Sequence, residues 1–227
     1  MSDVYLARDV RLGRRVALKV IGRQSFSSPA AVESFLREAE LTASFNHRHI
    51  VTVYAAGELQ GSPYLALEFL DGETLRQRLE REALPRTEAL HHALAISEAL
   101  AEAHSRGVLH LDLKAENVMI PWDGRLRVLD FGVACRISDD QQAIEPASVS
   151  SATANPGPMG TFPSGLRGTP SYMAPELWLA EPATSASDVW ALGTLIYELV
   201  SGRRPFRARS IWELGRQVIA AEHAPLL

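Results

Sequence analysis

The hydrophobic pattern changes character near residue 70, and this change limits the folds open to the chain more than any other feature. Before residue 70, apolar residues fall in short runs of strand length that are bounded by turn residues such as Gly13 and Gly61. These runs lie at 4–7, 15–21, 50–54 and 64–69, and a stretch with helical spacing, 29–45, separates the second from the third.

Helical periodicity dominates after residue 70. The predicted helices lie at 74–82, 87–105, 187–200 and 211–220, with short strands at 118–120 and 126–129. In the longest helix the apolar face is predicted to consist of Leu90, Leu94, Ile96, Leu100 and Ala101. The pattern indicates an α+β protein with a small antiparallel sheet lobe, residues 1–70, and a mostly helical lobe, residues 71–227.

Composition narrows the class of protein. With 46% hydrophobic and 22% charged residues among 227, the chain can bury a core without disulfides, and its only cysteine, Cys135, cannot form one within the chain. A single cysteine fits a reducing compartment, so a cytoplasmic location is expected. The net charge of −4 argues against a nucleic-acid partner. The most apolar stretch, 189–197, is far below the roughly 20 residues of a membrane span, so no membrane segment is expected within this chain.

One segment has no pattern of regular structure. Residues 138–167 are dense in Ser, Ala, Pro, Thr and Gly, with few large apolar side chains to offset the entropy of ordering. A disordered insertion is the prediction, and its position between two sharp motifs suggests a flexible loop beside a site.

The densest group of chemically useful side chains is the run His-Leu-Asp-Leu-Lys-Ala-Glu-Asn at 110–117. Asp112 can accept a hydroxyl proton, Lys114 can stabilise charge on a moving phosphoryl group, and Asn117 offers a neutral oxygen to Mg²⁺. The alternative interpretation is a polar turn around a buried histidine. Phosphoryl transfer needs this combination of positioned cations, metal-binding oxygens and a proton acceptor.

Two further motifs supply the remaining parts of such a site. Lys19 ends the run Val-Ala-Leu-Lys on a predicted strand, and its ammonium needs an anion, for which Glu38 on the following helix is the expected partner. Asp130 begins Asp-Phe-Gly at 130–132 directly after a short apolar strand, where its carboxylate could hold Mg²⁺.

The order of these motifs resembles the protein-kinase signature set, and the resemblance covers essentially all 227 residues. Gly-Thr-Pro-Ser-Tyr-Met-Ala-Pro-Glu at 168–176 and Asp188 before an apolar helix extend it. Lys114 two residues after Asp112 is similar to the serine/threonine branch, and the run 4–9 looks bacterial. The chain is therefore identified with the catalytic domain of bacterial eukaryotic-like serine/threonine kinases, which implies a two-lobed kinase fold and ATP with Mg²⁺, or Mn²⁺ in its place.

The resemblance also implies roles for individual residues. Leu67 would be the gatekeeper, and the backbone of Glu68 and of Leu70 would bind adenine. The residues expected to sandwich the ring are Val4, Ala17 and Met119. Thr169 would lie in the segment that holds the substrate protein beside its serine or threonine. The positions with structural roles would be His110, Phe131, Gly132, Glu176 and Asp188.

The sequence departs from the family at three places. Ser2 stands where the third glycine of G-x-G-x-x-G-x-V is expected, so the prediction is a domain that lacks its first strand and most of that loop. The last helices, which supply an arginine partner for Glu176, are also expected to be missing, and a membrane anchor beyond Leu227 stays open. Leu111 replaces an arginine that pairs with a phosphate on the activation loop, so phosphorylation of that loop is not expected to switch this protein by that route.

Two other functions stay open on these residues. A pseudokinase or inactive kinase fragment that acts as a binding module would fit the missing glycines and Leu111. A small-molecule phosphotransferase with a kinase-like fold would share the catalytic residues, but the segment 168–176 looks built to hold a peptide.

Overall fold

The computed structural model describes residues 2–22, 29–131 and 169–225. Its first part is an antiparallel sheet of four strands in the order β1-β2-β4-β3. The strands are β1 Ser2–Asp9, β2 Arg14–Ile21, β3 Val53–Leu59 and β4 Ser62–Glu68. A tight turn joins β1 to β2, and Gly13 adopts φ +68° there, a conformation that glycine takes without steric cost.

Strand register decides which side chains face the inside of this lobe. Val4 lies opposite Lys19, and Ala17 lies opposite Leu67. Because residues two apart on a strand share a face, these four side chains project from the same side of the sheet. Helix α1, Pro29–Ala43, packs against the sheet, mostly on β3.

The third strand differs from the predicted run at 50–54. It begins at Val53 and continues through Gly57, which had been expected to interrupt the strands. A Cβ atom at Gly57 would lie 2.8 Å from the hydroxyl oxygen of Tyr64 on β4, so glycine here leaves room for that ring and does not make a turn. Gln60 and Gly61, both with positive φ, make the turn instead. Ile50 forms only an isolated parallel bridge with Val128.

The second part of the molecule is mostly helical and carries a small sheet of three strands. That sheet has the order β5-β6-β7, with β5 Gly72–Thr74, β6 Val118–Pro121 and β7 Arg127–Val128. The helices are α2 Leu75–Arg81, α3 Arg86–Ser105, α4 Pro175–Trp178, α5 Ser185–Ser201 and α6 Ile211–Ile219. Two single turns of 3₁₀ helix, Ala115–Asn117 and Pro170–Tyr172, lie at the ends of the site described below.

Capping residues account for where the helices begin and end. Thr74 and Thr184 each form a capping box at the start of α2 and α5, in which the threonine hydroxyl accepts from the helix backbone and a side chain returns the bond. Helix α5 ends at Gly202, which adopts φ +68°. These boundaries follow from local sequence and agree with the predicted helices to within one or two residues.

The predicted apolar face of α3 is wrong in part. Ile96 and Leu100 are buried, but Leu90 and Leu94 are 62% and 58% exposed. The buried face instead consists largely of alanines: Ala89, Ala93, Ala95, Ala99 and Ala103. Small side chains allow α5 to pack closely against α3, and a search for large apolar residues overlooks such a face.

Two of the sequence predictions lie outside the described residues, namely Gly132 and the flexible segment 138–167. Within the described residues, none of the helices combines the length and the apolar character that crossing a membrane requires.

Candidate active site

The centre of the site is a set of contacts around the carboxylate of Asp112. Lys114 Nζ lies 2.6 Å from Asp112 Oδ2, and the Thr169 hydroxyl donates to Asp112 Oδ1 at 3.0 Å. Lys114 Nζ also donates to Thr169 Oγ1 at 2.8 Å. Thr169 lies 55 or more positions beyond Lys114 and Asp112 in the sequence. The three side chains nevertheless form one hydrogen-bonded group of a hydroxyl, an ammonium and a carboxylate.

Asn117 joins this group through its amide nitrogen. Nδ2 donates to the backbone oxygen of Asp112 at 2.9 Å and to Asp112 Oδ2 at 3.1 Å. This assignment turns the amide carbonyl oxygen of Asn117 away from Asp112, since a planar amide presents its nitrogen and oxygen in different directions. The 3₁₀ turn Ala115–Asn117 sets the position of the side chain, and the backbone oxygen of Asn117 accepts from Leu129 N at 2.8 Å.

Lys19 contacts Asp130 directly, with 2.5 Å between Nζ and Oδ1. Both side chains are largely buried, at 17% and 30% exposure, so the pair is better shielded from solvent than a surface ion pair. Asp130 adopts φ +58°, which non-glycine residues take rarely and mostly at functional sites. Glu38 lies on α1, but its side chain is outside the described ones, so the Lys19–Glu38 pair stays a prediction.

The rings of His110 and Phe131 lie against each other beneath the site. Their centroids are 4.7 Å apart, and Phe45 meets Phe131 edge-on at 6.0 Å. His110 Nδ1 accepts from the backbone N–H of Asp112 at 3.2 Å, which leaves Nε2 to donate to the backbone oxygen of Leu129 at 2.9 Å. The histidine therefore links the loop that carries Asp112 to the strand end that carries Asp130.

Asp188 holds the backbone of the segment that leads into Asp112. Its carboxylate accepts from the backbone N–H groups of His110 and Leu111, each at 2.8 Å, and contacts His104 Nε2 at 2.8 Å. Burial by itself would raise the pKa of Asp188, but the hydrogen bonds from His104 and from the two backbone amides outweigh it and lower the pKa. The carboxylate is thus held ionised inside the protein, and it fixes the backbone that precedes Asp112.

Leu111 occupies a strained position with φ +60°. Its side chain lines a small cavity together with Tyr172, Met173 and Leu177. Tyr172 and Met173 are buried, so a leucine here lies beside apolar and aromatic groups.

Of the predicted nucleotide-binding residues, Val4, Ala17 and Leu67 lie on one side of the main sheet, whereas Leu70 and Met119 lie outside that sheet. Ala17 and Leu70 pack against the cluster that contains Leu67, whereas Val4 on the edge strand β1 is 63% exposed. Met119 lies on β6, where it pairs with Thr74 and Arg127.

The backbone of Glu68 is only partly available for the predicted adenine contact. Its N–H donates to the backbone oxygen of Thr52 at 2.8 Å, so this donor is already engaged within the protein. The Glu68 carboxylate lies 3.5 Å from Arg127 Nε, a contact that ties this segment to β7.

Glu176 has a partner that the sequence did not indicate. The Ser187 hydroxyl donates to Glu176 Oε1 at 2.6 Å, and the same hydroxyl accepts from Thr184 N at 3.1 Å. The predicted lack of an arginine therefore does not leave this carboxylate without a hydrogen bond, and the start of α5 supplies the donor.

A buried ionic cluster beside Thr169 was also missed. Arg76 donates to Glu116 at 3.1 Å, to Glu198 at 3.0 Å and to the Tyr172 hydroxyl at 2.8 Å, and Tyr172 in turn donates to Glu198. Burial opposes the charge of Arg76, but Tyr172 and Glu198 outweigh it and raise the pKa of its guanidinium. Burial also raises the pKa of the Tyr172 phenol. In the sequence, Glu198 could have signalled this cluster, because it is a carboxylate within the apolar run of α5. Its partner Arg76 gave no such signal, because it lies on a highly charged helix.

The donor set of the site suits a divalent metal ion held jointly with phosphates. Among the described residues no group of three or more His, Cys, Asp or Glu side chains is arranged to hold a metal alone. Asp130 and Asn117 instead offer one carboxylate and one amide oxygen, and Mg²⁺ is commonly held by one or two such groups plus the phosphates of a substrate.

Comparison with known proteins agrees with this geometry. Residues 1–224 match the protein kinase domain family. The chain is 33% identical over 230 residues to the serine/threonine-protein kinase PknB of Mycobacterium leprae and 38% identical over 215 residues to the serine/threonine-protein kinase PknA of Mycobacterium tuberculosis (strain ATCC 25618 / H37Rv). These alignments cover 99% and 91% of this chain, but only 34% and 45% of the two relatives.

Fold and site together have the arrangement of a protein kinase domain. The chain belongs to the protein kinase domain family, and the predicted resemblance to bacterial serine/threonine kinases and the predicted fold class are both confirmed. Membership of the family implies ATP and a divalent metal ion. The chain spans less than half the length of the curated relatives named above.

Proposed function

We propose that this domain transfers the γ-phosphate of ATP to serine and threonine hydroxyls of proteins, with Mg²⁺ as the metal ion. The observation that carries the proposal is the hydrogen-bonded group of Asp112, Lys114 and Thr169, because a carboxylate and an ammonium there bind one hydroxyl between them. The names of the relatives support the choice of serine and threonine. The single cysteine supports a cytoplasmic setting.

Asp112 orients the substrate hydroxyl and accepts its proton. One of its oxygens already accepts from the Thr169 hydroxyl, so its lone pairs point toward the space in which a hydroxyl nucleophile binds. Lys114 forms an ion pair with the carboxylate and offers its ammonium to the charge that develops on the transferred group.

Lys19, Asp130 and Asn117 hold the phosphate end of the site. Asp130 and Asn117 would bind Mg²⁺, which neutralises phosphate charge and aligns the donor when it is bound. Lys19, placed beside Asp130 by the register of β2, supplies a cation for the phosphates. Asp188 holds the backbone at His110, and His110 binds the backbone oxygen of Leu129 beside Asp130. The positions of Asp112 and Asp130 relative to each other are therefore restrained before binding.

The test is a transfer assay with the 227-residue chain, labelled ATP, Mg²⁺ and a serine-containing peptide. Asp112→Asn is expected to lower the rate at least about 100-fold, since a positioned general base contributes on that order or more. Nucleotide affinity, measured by fluorescence, is expected to stay near the wild-type value, because Asp112 faces the hydroxyl and not the nucleotide.

The matched control is Asp123→Asn, which makes the same change in the exposed turn between β6 and β7. Its rate is expected to equal that of the wild type, and thermal melts establish that both variants fold. A wild-type rate in Asp112→Asn overturns the assigned role. Nucleotide binding by the wild type without any transfer favours the binding module over the enzyme.

A further inference from the structure

An open cavity of about 510 Å³ lies beside the segment that carries Thr169. Ser171, two residues after Thr169, is part of its lining, as are Arg76 of α2 and the two arginines Arg204 and Arg207 of the loop between α5 and α6. The cavity therefore adjoins the site at which the substrate hydroxyl is proposed to bind.

Two carboxylates are already paired with arginines here: Glu198, which lines the cavity, and Glu116, which is partly exposed beside the same arginines. Glu198, with a side chain only 5% exposed, lies 3.0 Å from Arg76 and 3.4 Å from Arg204. Glu116 lies 3.1 Å from Arg76 and 3.7 Å from Arg204. Two arginines thus match two glutamates, and a basic side chain that entered the cavity would have to compete with guanidinium groups already in place.

The cations of the loop are not matched in this way. Arg203, Arg207 and Arg209 are exposed, and within the described part of the chain no carboxylate lies within 4.0 Å of their guanidinium groups. Glu80, the other acidic residue of the lining, is exposed on α2 and forms no ion pair by that criterion. Among the residues that line the cavity, the three arginines outnumber the two glutamates, Glu80 and Glu198, so the lining has a formal excess of one positive charge. The whole chain, by contrast, is acidic with a net charge of −4.

The cavity is close enough to Asp112 for a short peptide to reach both. Thr169 Oγ1 lies 3.0 Å from Asp112, and Ser171 Oγ lies 3.2 Å from Arg204 Nη1. Two residues of chain span at most roughly 7 Å, so the backbones of Thr169 and Ser171 lie within that distance of each other. An extended peptide rises about 3.3 Å per residue, so a side chain about two to four residues from the phosphate acceptor would reach the cavity.

We propose that this cavity selects protein substrates that carry an anionic side chain, a carboxylate or a phosphate, about two to four residues from the phosphorylated hydroxyl. Arg207 and Arg204 bind that anion at the entrance, while Arg76 and the two glutamates hold Arg204 in place. The inference rests on the proposed function and adds a substrate class to it.

The experiment measures binding and transfer separately, with a set of fluorescent peptides that contain one serine in an alanine background. Each peptide carries a single glutamate, or a single lysine as its opposite, within about four positions of the serine. Anisotropy without ATP gives the affinity, and labelled ATP gives kcat/KM. For the wild-type chain, glutamate at one or two positions is expected to improve both about fivefold over alanine, the scale of one partly exposed ion pair.

Arg207→Ala is the diagnostic variant, because its side chain is exposed and its loss does not disturb the buried cluster. It is expected to remove the preference for glutamate and to leave the alanine peptide unaffected, whereas Arg207→Glu reverses the preference toward lysine. Arg209→Ala is the matched control: it removes the same charge from the same loop but does not line the cavity, so the preference stays. Added salt reduces the preference.

The outcomes separate the two proposals. Equal affinity for glutamate and alanine peptides, or an equal loss of preference in Arg207→Ala and Arg209→Ala, overturns the inference, even where transfer proceeds. Preferential binding that depends on Arg207, without transfer to any peptide, upholds the anion site and overturns the proposed function. Peptides with phosphoserine in place of glutamate identify the natural anion: tighter binding than glutamate points to a phosphate, and equal or weaker binding to a carboxylate.

Discussion

At the scale of single residues, the site depends on side chains that serve two contacts at once. Lys114 binds both Asp112 and Thr169, and Asn117 binds the backbone and the side chain of Asp112. Because each contact restricts the same carboxylate, its orientation is fixed before any substrate arrives. Thr169 is the member of this group that comes from outside residues 110–117, which we call the catalytic loop. We propose that its hydroxyl positions Asp112.

Replacement of that hydroxyl tests the positioning role. Thr169→Val keeps the shape of the side chain but removes the donor to Asp112 and the acceptor for Lys114. Because hydrogen bonds to charged groups are worth about 1.5–3 kcal/mol, kcat is expected to fall by about tenfold to a hundredfold. Thr169→Ser restores the hydroxyl and is expected to retain most of the activity. Steady-state peptide phosphorylation measures both, and a KM effect without a kcat effect would contradict the role.

At the scale of elements, short strands hold the two parts of the molecule close to the site. Strand β5 directly follows the segment 69–71 and pairs with β6, which follows the catalytic loop. Gly72 makes this pairing possible, because a Cβ atom there would lie 2.2 Å from the backbone oxygen of Ile120 and 2.5 Å from the Cα of Pro121. Backbone atoms cannot move aside as a flexible side chain can, so any other residue at position 72 would force β5 and β6 apart.

Two glycine substitutions, one at the contact between β5 and β6 and one away from it, test whether Gly72 is required there. Gly72→Ala is expected to lower the free energy of unfolding by about 1–3 kcal/mol through overpacking against β6. Gly193→Ala, in the interior of α5, meets no atom within 4 Å and is expected to raise it by up to about 1 kcal/mol through helix propensity. Urea unfolding midpoints measure both. Equal effects of the two substitutions would contradict the close contact between β5 and β6.

Sequence predicted the elements better than their contacts. The hairpin of β1 and β2 and helices α2 and α5 were predictable because glycine turns and capping residues act locally. The burial of α3 was not, because an alanine face has no strong hydrophobic signal. In the site, Asp112, Lys114 and Asn117 were predictable because six consecutive residues of one loop contain them all. The Arg76–Glu198 pair was not, since the two residues are 122 positions apart and several other arginines flank Arg76.

At the scale of the whole molecule, Asp188 joins three separate regions. Helix α5 carries it, helix α3 contributes His104, and the catalytic loop contributes two backbone amides. Its side chain is 1% exposed, so an ionised carboxylate there is stabilised almost entirely by these partners.

The pH dependence of stability follows from the lowered pKa of Asp188. Because its pKa in the folded protein lies below the ordinary value of 3.8, its contribution is fully present above that value and is lost as pH falls through the lower, folded value. Asp188→Asn is expected to cost about 3 kcal/mol at pH 7, since asparagine keeps one acceptor oxygen but no charge.

Urea unfolding of the wild type and of Asp188→Asn, from pH 7 down to about 3, measures this contribution. The difference between them is expected to shrink at the acid end, where protonation removes the charge from the wild type as well. A difference that stays constant over the whole range would show that the charge of Asp188 does not contribute. Asp123→Asn again serves as the control, with no effect expected at either end.

The anchoring of the catalytic loop by Asp188 has a consequence for the order in which the protein matures. Asp112, Lys114 and Asn117 leave the ribosome long before Asp188, which is 78 residues beyond His110. A nascent chain that ends before α5 therefore holds every residue of the catalytic loop but lacks the carboxylate that fastens its backbone. The arrangement around Asp112 that the proposed function needs is therefore complete only after α5 has been synthesised and packed. An incomplete translation product that ends before α5 contains Asp112, Lys114 and Asn117 without the carboxylate that holds their loop.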